Sequence, residues 1–362
     1  MIQEKDKVTG LMVFFLITAS QVGVGVLGFQ SIIIKYAEQD AWISIFVAGA
    51  AISIIIWIMY RMLGWNKTGD IVAIHQDAIG KLAGNFLSVI FAFYLLILSV
   101  VVLSTYLEII QVWMFPHIDM MAILFLLLPL IYYIIAGEFR VVTGVSFFGV
   151  VYPSLLMLTL FYPFHFGHIA NIMPVFDHTI KEILQSSRLT VINFLGVSIL
   201  LVFYPYISDS SRSRRNALFG NLYTTILYVI ICVVSFFYYS QEELKHIIWA
   251  TLGMWKIIEL PFLARFEYIG IATLFFSILP NVVLYTWASA RTLHRTTGIS
   301  HKKICVFLLI ILFGACMTAQ DRETVNLLND MISRVGIVFL FVYIPLLFFL
   351  YLLRRKVKKN AA

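Results

Sequence analysis

Long apolar runs separated by short polar segments dominate the chain. A transmembrane helix needs about 20 mostly apolar residues to cross the hydrocarbon core. The first run is too long for a cleavable signal peptide, and no small-residue cleavage site follows it. We therefore predict an all-α polytopic membrane protein with ten transmembrane helices in a single membrane domain, residues 1–362. The predicted spans are 9–34, 42–63, 84–112, 119–136, 141–163, 188–208, 217–239, 266–290, 304–319 and 332–353.

Composition leads to the same class of protein. Of the 362 residues, 61% are apolar and 12% are charged, whereas a soluble domain is about half apolar and a quarter charged. So few charges cannot cover a water-facing surface, which makes lipid the solvent for most of the chain. The longest predicted loops, 164–187 and 240–266, are too short to hold a soluble catalytic or nucleic-acid-binding domain.

The placement of charge predicts orientation. The chain has 26 Lys and Arg against 19 Asp and Glu, a formal net charge of +7. With ten spans both termini lie on one side, and eighteen of the 26 basic residues lie there. Basic residues concentrate in cytoplasmic loops, so both termini are predicted to be cytoplasmic. The excess of positive charge then faces anionic lipid headgroups, and nucleic acid is not an expected partner.

Both predicted outer loops contain amphipathic patterns. The first predicts a short capped amphipathic helix from the positions of Asp177, Ile180, Ile183 and Leu184. The second has apolar residues at near-helical spacing, including Leu244, Ile247, Ile248, Trp249, Leu252, Trp255 and Ile258. This second pattern is typical of a helix lying in the membrane interface and anchored by tryptophans. It also fits an extracellular lid over a ligand cavity, and the two interpretations are compatible.

The first span contains a G-x-G-x-x-G sequence, Gly23-Val24-Gly25-Val26-Leu27-Gly28. A dinucleotide site needs a strand before this motif and a helix after it, and a position inside an apolar span excludes that interpretation. Two alternatives remain, which are close helix packing and an unwound segment. Three glycines within six residues weaken a helix by about 1 kcal/mol each, and Ser20 and Gln21 can hydrogen-bond the freed backbone groups.

The sixth span is interrupted in a similar way. Gly196 and Ser198 lie in its middle, and Pro205 lacks an amide donor. Interrupted segments at corresponding positions of two halves indicate a transporter-like binding site. Spans one and six are five apart, so we predict a five-plus-five inverted repeat, approximately 9–163 and 188–353, with broken helices 1 and 6.

Broken helices expose backbone groups that can bind a small ligand. Free N–H groups can hold a carboxylate, and free C=O groups can hold an ammonium or a cation, so a zwitterion such as an amino acid suits both. Apolar walls are predicted from Val22, Val24, Val26, Val197, Ile199 and Leu200, a third wall from Tyr94 and Leu98, and a contact from Ser277 and Asn281 on the eighth span. The candidate ligand-binding residues are Val22, Gly23, Val24, Gly25, Tyr94, Leu98, Gly196, Val197, Ser198, Leu200, Ser277 and Asn281.

The predicted spans carry no Asp, Glu, Lys or Arg in their central parts. Charges at membrane depth usually mark proton relays and ion sites, so a proton pump with a carboxylate relay is not expected. Sodium bound by backbone carbonyls and hydroxyls stays open. A hydrogen bond between helices is the alternative role for each mid-membrane polar residue, namely Gln21, Tyr94, Ser99, Asn193, Ser198, Ser277 and Asn281.

The sequence favours neither a metal site nor an enzyme. Three cysteines, Cys232, Cys305 and Cys316, lie in apolar runs without metal-type spacing, and their number and position argue against a disulfide framework. His165 and His168 have no third ligand nearby. Hydrolase and metalloprotease motifs are missing from the sequence. We expect no catalytic residues, no metal and no cofactor.

Several short elements, in this order and spacing, resemble the spore-germination permeases, the B subunits of GerA-type nutrient germinant receptors. This family lies within the amino acid–polyamine–organocation permease superfamily, whose LeuT-like fold has broken helices and inverted repeats. The resemblance covers nearly the whole chain, and its Arg-Phe-Glu element is the most specific. The elements are Gly23 to Gly28, Ala41-Trp42-Ile43-Ser44, Asn193-Phe194-Leu195-Gly196, Ala264-Arg265-Phe266-Glu267 and Thr297-Gly298-Ile299-Ser300.

The resemblance implies a subunit in the inner membrane of the bacterial endospore. Such a subunit binds a nutrient, often an amino acid, and signals germination with a membrane A subunit and a lipoprotein C subunit. By position, Gly23 and Gly25 would lie in the unwound part of span one, and Gly196, Val197, Ser198 and Leu200 in that of span six. Many relatives in the superfamily have twelve spans, so their dimers do not carry over to this chain.

Three functions compete at this point. The first is a nutrient-sensing receptor subunit, which would close on its ligand and pass the change to partner subunits. The second is a secondary amino-acid transporter, which would show uptake by the lone subunit. The third is a scaffold without a ligand, for which substitution of Gly25 or Ser198 would leave the nutrient response unchanged.

Overall fold

The computed structural model describes residues 4–66, 69–210, 212–259 and 265–360. The described residues form helices and no strand, apart from an isolated bridge between Val8 and Ile207. The predicted all-α class is therefore confirmed. Residues 260–264 of the predicted loop 240–266, which include Ala264 of one family element, lie outside the described residues, as does Lys67.

Seventeen α-helices are present in the described part of the chain. They are α1 Met12–Gln21, α2 Gln30–Ala37, α3 Ala41–Trp65, α4 Ile71–Ile79, α5 Lys81–Ile109, α6 Met120–Ala136, α7 Glu138–Ser154, α8 Phe161–His165, α9 Ile180–Thr190, α10 Leu200–Phe203, α11 Arg214–Tyr238, α12 Gln241–His246, α13 Ala250–Lys256, α14 Phe266–Thr297, α15 His301–Thr318, α16 Arg322–Val338 and α17 Ile344–Asn360. Short 3-10 helices extend or join several of them, at Glu4–Asp6, Val24–Leu27, Glu38–Asp40, Leu155–Leu160, Ile169–Ile172, Val191–Ile199 and Tyr204–Tyr206. Two π-helical turns are Ile110–Met114 and Phe339–Tyr343.

Eight helical segments are long and apolar enough to cross a membrane, which confirms a multi-pass membrane protein. They are Gln30–Trp65, Lys81–Met114, Glu138–His165, Ile180–Tyr206, Arg214–Tyr238, Phe266–Thr297, His301–Thr318 and Arg322–Arg355. Helices α1 and α6 are shorter apolar helices at predicted spans one and four. Large apolar side chains cover the outward faces, for example Leu126 at 74% and Phe161 at 76% exposure, as lipid contact requires.

Helix α14 lies in the middle of the bundle. It packs against α5, α7 and α1, while α1 also packs against α11 and the 3-10 helix Val191–Ile199. The interrupted region of the first span therefore contacts the interrupted region of the sixth. This contact positions the candidate site.

The two predicted loop helices differ from expectation. The first is not a separate loop helix: α9 starts at Ile180, runs into predicted span six, and is capped by Thr179 through a capping box with Glu182. Ile180 is exposed, and the Asp177 N–H donates to Asp40. The apolar residues of this pattern begin a long helix, because the capping box fixes the helix start and nothing ends the helix before the membrane.

The loop after α11 forms two short helices, α12 and α13, instead of one continuous amphipathic helix. Leu244, Leu252 and Trp255 are buried against the bundle. The Trp255 indole N–H donates to Thr159 Oγ1 at 3.1 Å, so this tryptophan is held inside the protein. Residues 240–259 are called the lid segment below.

The two opposite faces of the helix bundle are named here by the segments that lie on them. On one face, here the terminal face, Val8 N donates to Tyr206 O at 2.8 Å and Ser208 N donates to Val8 O at 2.9 Å. Arg140 Nε donates to Lys7 O there at 3.0 Å. Helix α11 then runs for 25 residues, about 37 Å, to the lid segment, which marks the opposite or lid face.

Candidate functional site

The candidate site begins where the first helical run stops. Helix α1 ends at Gln21, and Val22 and Gly23 are extended, with φ −94°, ψ 106° and φ −144°, ψ −147°. Val24–Leu27 is a single 3-10 turn, and α2 begins at Gln30. The glycines make a continuous helix unfavourable here, and the freed backbone groups need other partners.

Asn281 of α14 binds the end of α1. Its side-chain nitrogen donates to the carbonyl of Ala19 at 2.6 Å and to that of Val22 at 2.8 Å. It also lies 3.0 Å from the carbonyl of Ser277, one turn earlier on α14. Asn281 is 2% exposed, so these bonds form out of contact with bulk solvent.

Two tyrosines bind the remaining carbonyls of this helix end. The Tyr285 hydroxyl on α14 donates to Ser20 O at 2.5 Å, and the Tyr228 hydroxyl on α11 donates to Gln21 O at 3.3 Å. Together with Asn281 they occupy four consecutive carbonyls. Each of these carbonyls already accepts one hydrogen bond, whereas Gln21 Oε1 is a buried oxygen without a hydrogen-bond partner.

Among the described residues, three consecutive backbone N–H groups at the break are free. Those of Gly23, Val24 and Gly25 find no acceptor among the described residues. All three residues line the same cavity. Consecutive unpaired amides are a favourable environment for a carboxylate or another anionic group.

The interrupted part of predicted span six lies directly against this break. Val191–Ile199 is a 3-10 helix and not the unwound backbone predicted around Gly196 and Ser198, and its i to i+3 bonds satisfy the backbone. A Cβ on Gly196 would lie 1.8 Å from Ser20 O, and one on Gly25 would lie 2.1 Å from Asn193 Oδ1. Glycine at both positions lets the two segments touch.

A cavity of about 480 Å³ extends from the break to the lid segment. Five predicted site residues line it: Gly23, Val24, Gly25, Leu98 and Asn281. The lining also includes residues near the break that the sequence-based list omits, namely Gln21, Asn193, Tyr228 and Tyr285. Gln21 and Asn193 carry the signal of a polar residue at mid-membrane depth. Tyr228 and Tyr285 have no such signal, because their helices are apolar on every side and the sequence does not show which side faces the cavity.

The other predicted site residues lie outside this cavity. Val22 and Ser277 line a separate apolar cavity of about 40 Å³, and Ser277 Oγ donates to Gly149 O at 3.0 Å. Tyr94 stacks on Phe339 with ring centroids 4.9 Å apart, and its hydroxyl lies beside Ser198. The remaining predicted residues are buried behind the cavity wall: Gly196, Val197, Ser198 and Leu200.

The lid segment covers the far end of the cavity. Thr251 Oγ1 donates to Val26 O at 2.8 Å, and a Cβ on Gly28 would lie 2.2 Å from Ile248 O. These contacts place the lid directly on the short turn after the break. A conformational change in that turn would therefore act directly on the lid segment.

Arg322 connects the lid to two membrane helices. Its guanidinium is 2.9 Å from the Glu108 carboxylate and lies over the Trp249 ring at 4.9 Å. Nearby, Lys245 pairs with Glu38 at 3.0 Å, and this hydrogen bond raises the pKa of Lys245 above its ordinary value. Opposite charges thus hold the lid face together around the cavity.

Metal ligands do not cluster in the described residues. No group of three or more His, Cys, Asp or Glu side chains could hold an ion there. Cys232, Cys305 and Cys316 are free and buried. Among the described residues lining the central cavity, Asp330 on α16 is the one carboxylate.

Comparison with known proteins identifies the family of this chain. A profile described as spore germination protein matches residues 7–325. Spore germination protein GerQB of Bacillus cereus is 38% identical over 353 residues, which are 98% of each chain. Spore germination protein A2 of Bacillus subtilis (strain 168) is 22% identical over 352 residues, 94% of each chain.

Solved structures give the fold. The substrate-bound, outward-open state of a Na⁺-coupled sialic acid symporter superposes with a TM-score of 0.67 at 16% identity, covering 93% of this chain and 80% of the symporter. MhsT in complex with L-phenylalanine superposes with a TM-score of 0.65 at 14% identity, covering 95% of this chain and 98% of MhsT. The chain therefore has a LeuT-like transporter fold.

Proposed function

The chain belongs to the spore germination protein family, and from this we propose that it is the nutrient-binding membrane subunit of a spore germinant receptor. The ligand would be a small nutrient, with an amino acid as the leading candidate. The observation that carries this proposal is the row of unpaired amides at Gly23, Val24 and Gly25, three residues that line a cavity large enough for such a ligand.

The proposed binding mode places the ligand carboxylate on these amides. The positive end of the following half helix adds to their attraction. The ammonium would find Gln21 Oε1 and Asn193 Oδ1, since both residues line the cavity near the break. Val24 and Leu98 would contact the ligand side chain. The other predicted contacts, Val22, Tyr94, Gly196, Val197, Ser198, Leu200 and Ser277, are proposed to support the site from behind the wall.

The proposed topology completes this arrangement. We propose ten membrane crossings, with α1 and α2 as the two halves of the first and α9, Val191–Ile199 and α10 as the sixth. The two inverted repeats would be residues 9–163 and 188–353. The terminal face would be cytoplasmic, in keeping with its excess of Lys and Arg, and the lid face would lie outside the inner membrane of the spore.

Signalling requires a ligand that binds two conformations unequally. In our proposal the nutrient closes the break and the lid segment around itself. The A subunit and the lipoprotein C subunit would detect the closed state. A ligand with equal affinity for both states would occupy the cavity without a signal.

The test is a ligand-induced thermal shift on the purified protein, alone and with its partner subunits. The panel contains amino acids, nucleosides and sugars. A ligand at a hundredfold excess over its Kd should stabilise the protein by about 2.7 kcal/mol. Gly25→Ala should abolish the shift, because its methyl group would lie 2.1 Å from Asn193 Oδ1 and must displace this proposed ammonium acceptor.

Gly144→Ala is the matched control. A Cβ there meets nothing within 4 Å, and Gly144 does not line the cavity. The control should keep the full shift. A shift that survives in Gly25→Ala, or silence across the panel in both preparations, would refute binding at the break.

A secondary amino-acid transporter is the second candidate. The LeuT-like fold favours it, since that fold serves a Na⁺-coupled symporter. Proteoliposomes containing the lone subunit separate the two functions. A sensor should bind the labelled ligand found in the thermal screen without accumulating it, whereas uptake above protein-free liposomes that Gly25→Ala removes would establish transport.

A further inference from the structure

The contacts of Asn281 have an unusual geometry for a side-chain amide. Three backbone carbonyls from two helices converge on its nitrogen: Ala19 at 2.6 Å, Val22 at 2.8 Å and Ser277 at 3.0 Å. An amide nitrogen has only two protons, so this nitrogen faces more acceptors than it can bond individually. The three oxygens form a partial ring around it, and backbone carbonyls are also ligands of small cations.

The location of this ring strengthens the comparison. Ala19 and Val22 stand at the C-terminal end of α1, where the helix dipole is negative. Carbonyls of a half helix that ends inside a membrane are the groups that coordinate coupling ions in transporters with broken helices. In this chain the position at the centre of the ring is already filled by a nitrogen.

We propose that the Asn281 amide takes the place of a monovalent cation in this carbonyl cage. The break in the first span is then held to α14 by a side chain, and neither the folded site nor its ligand needs a coupling ion. Removing the amide would turn the cage into a binding site for Na⁺ or K⁺.

Space and charge both support this assignment. A Cβ on Gly23 would lie 3.3 Å from Asn281 Nδ2, so the amide already touches the break and fills the position between the three carbonyls. A cation would also add a full charge, while the described lining offers one carboxylate, Asp330 on α16, which makes no contact with the carbonyl cage. An unpaired buried charge is costly, whereas the amide supplies N–H donors at no net charge.

The test uses cations alone, so its result does not depend on the identity of the nutrient. Wild type, Asn281→Asp and Asn281→Ser are purified in detergent. Their melting temperatures are measured with rising NaCl or KCl, and choline chloride holds the ionic strength constant. We expect no saturable shift for the wild type. Asn281→Asp should show a saturable rise of at least about 3 °C, and Asn281→Ser a smaller rise in the same direction.

Asn221→Asp is the matched control. Asn221 is also a buried amide that binds α3, donating to Gly49 O at 2.8 Å and Ser53 Oγ at 2.9 Å, but it faces only one carbonyl. It should lose stability without rescue by either cation. A rescue of this control equal to that of Asn281→Asp would mean general charge neutralisation and would overturn the proposal.

Two other results would also overturn it. One is a saturable Na⁺ or K⁺ shift of the wild type that Asn281→Ser abolishes, since the amide would then be a ligand of a bound ion. The other is indifference of both Asn281 variants to cations, whether they fold or fail to fold in every salt. A cage that a cation can occupy must respond to one when the amide is gone.

Discussion

Gly196→Ala tests the contact between the two interrupted spans. The new Cβ would lie 1.8 Å from Ser20 O and 2.5 Å from the Tyr285 hydroxyl, whereas ordinary contact begins at 3.4 Å. The neighbour at 1.8 Å is backbone, so α1 must move away from the 3-10 helix Val191–Ile199. The same movement breaks the hydrogen bond from Tyr285 to Ser20.

The expected loss of stability follows from these contacts. Overpacking costs about 1–3 kcal/mol, and a buried hydrogen bond left unmade costs about 1–3 kcal/mol. The gain in helix propensity from glycine to alanine offsets about 1 kcal/mol. We therefore expect Gly196→Ala to lower the free energy of unfolding by about 1–5 kcal/mol.

The assay is unfolding by sodium dodecyl sulfate in mixed micelles, followed by circular dichroism. Gly314→Ala on α15 is the control, since a Cβ there meets nothing within 4 Å. It should equal or slightly exceed the wild type. If Gly196→Ala stays within about 0.5 kcal/mol of this control, the close contact between the two spans is not a feature of the folded protein.

Two further predictions concern ionisable side chains, one beside the cavity and one outside it. Arg322→Ala should lower the free energy of unfolding by about 1–2 kcal/mol, because it leaves Glu108 buried without its partner, and partial exposure of the arginine reduces this cost. Arg334→Ala, at an exposed position on the same helix, is the control. Equal losses in the two unfolding titrations would contradict the role of the ion pair. Burial lowers the pKa of His75, on α4 between membrane-spanning segments, to about 4. The unfolded state titrates near 6.5, so stability present at pH 8 should fall by about 2 kcal/mol at pH 5. When the free energy of unfolding is measured at both pH values, His75→Gln should remove this loss. An equal loss in the variant would show that His75 does not cause it.

The sequence predicts the all-helical fold and the positions of the eight long apolar segments, because apolar runs directly reflect burial in lipid. Helix ends are less certain, since hydropathy marks the membrane and not the helix. Helix α14 shows this: its predicted span ends at 290, yet the helix continues to Thr297 and stops at Gly298, where φ is +75°. The basic turn before Gly298 is helical but lies beyond the apolar stretch.

The candidate site could be predicted only in part. Gly23 and Gly25 are visible because glycine is unfavourable in a helix. Tyr94 and Leu98 lie one turn apart in α5, yet only Leu98 lines the cavity, because Tyr94 turns toward Phe339 in a π-helical turn of another span. Helices that are apolar on every side give little indication of which face points inward, so Tyr228 and Tyr285 could not be assigned.

The hydrogen bonds on the two sides of the break are unequal, and this determines which half can respond to a ligand. Before the break, Asn281, Tyr285 and Tyr228 hold the carbonyls of α1 to two long helices. After it, the turn Val24–Leu27 is bound to the lid through Thr251. A ligand carboxylate on the free amides would add bonds to this second side, while the proposed ammonium contact with Gln21 would meet a helix end that is already held. Its effect should therefore pass to α2 and the lid segment, while α1 stays fixed to α11 and α14.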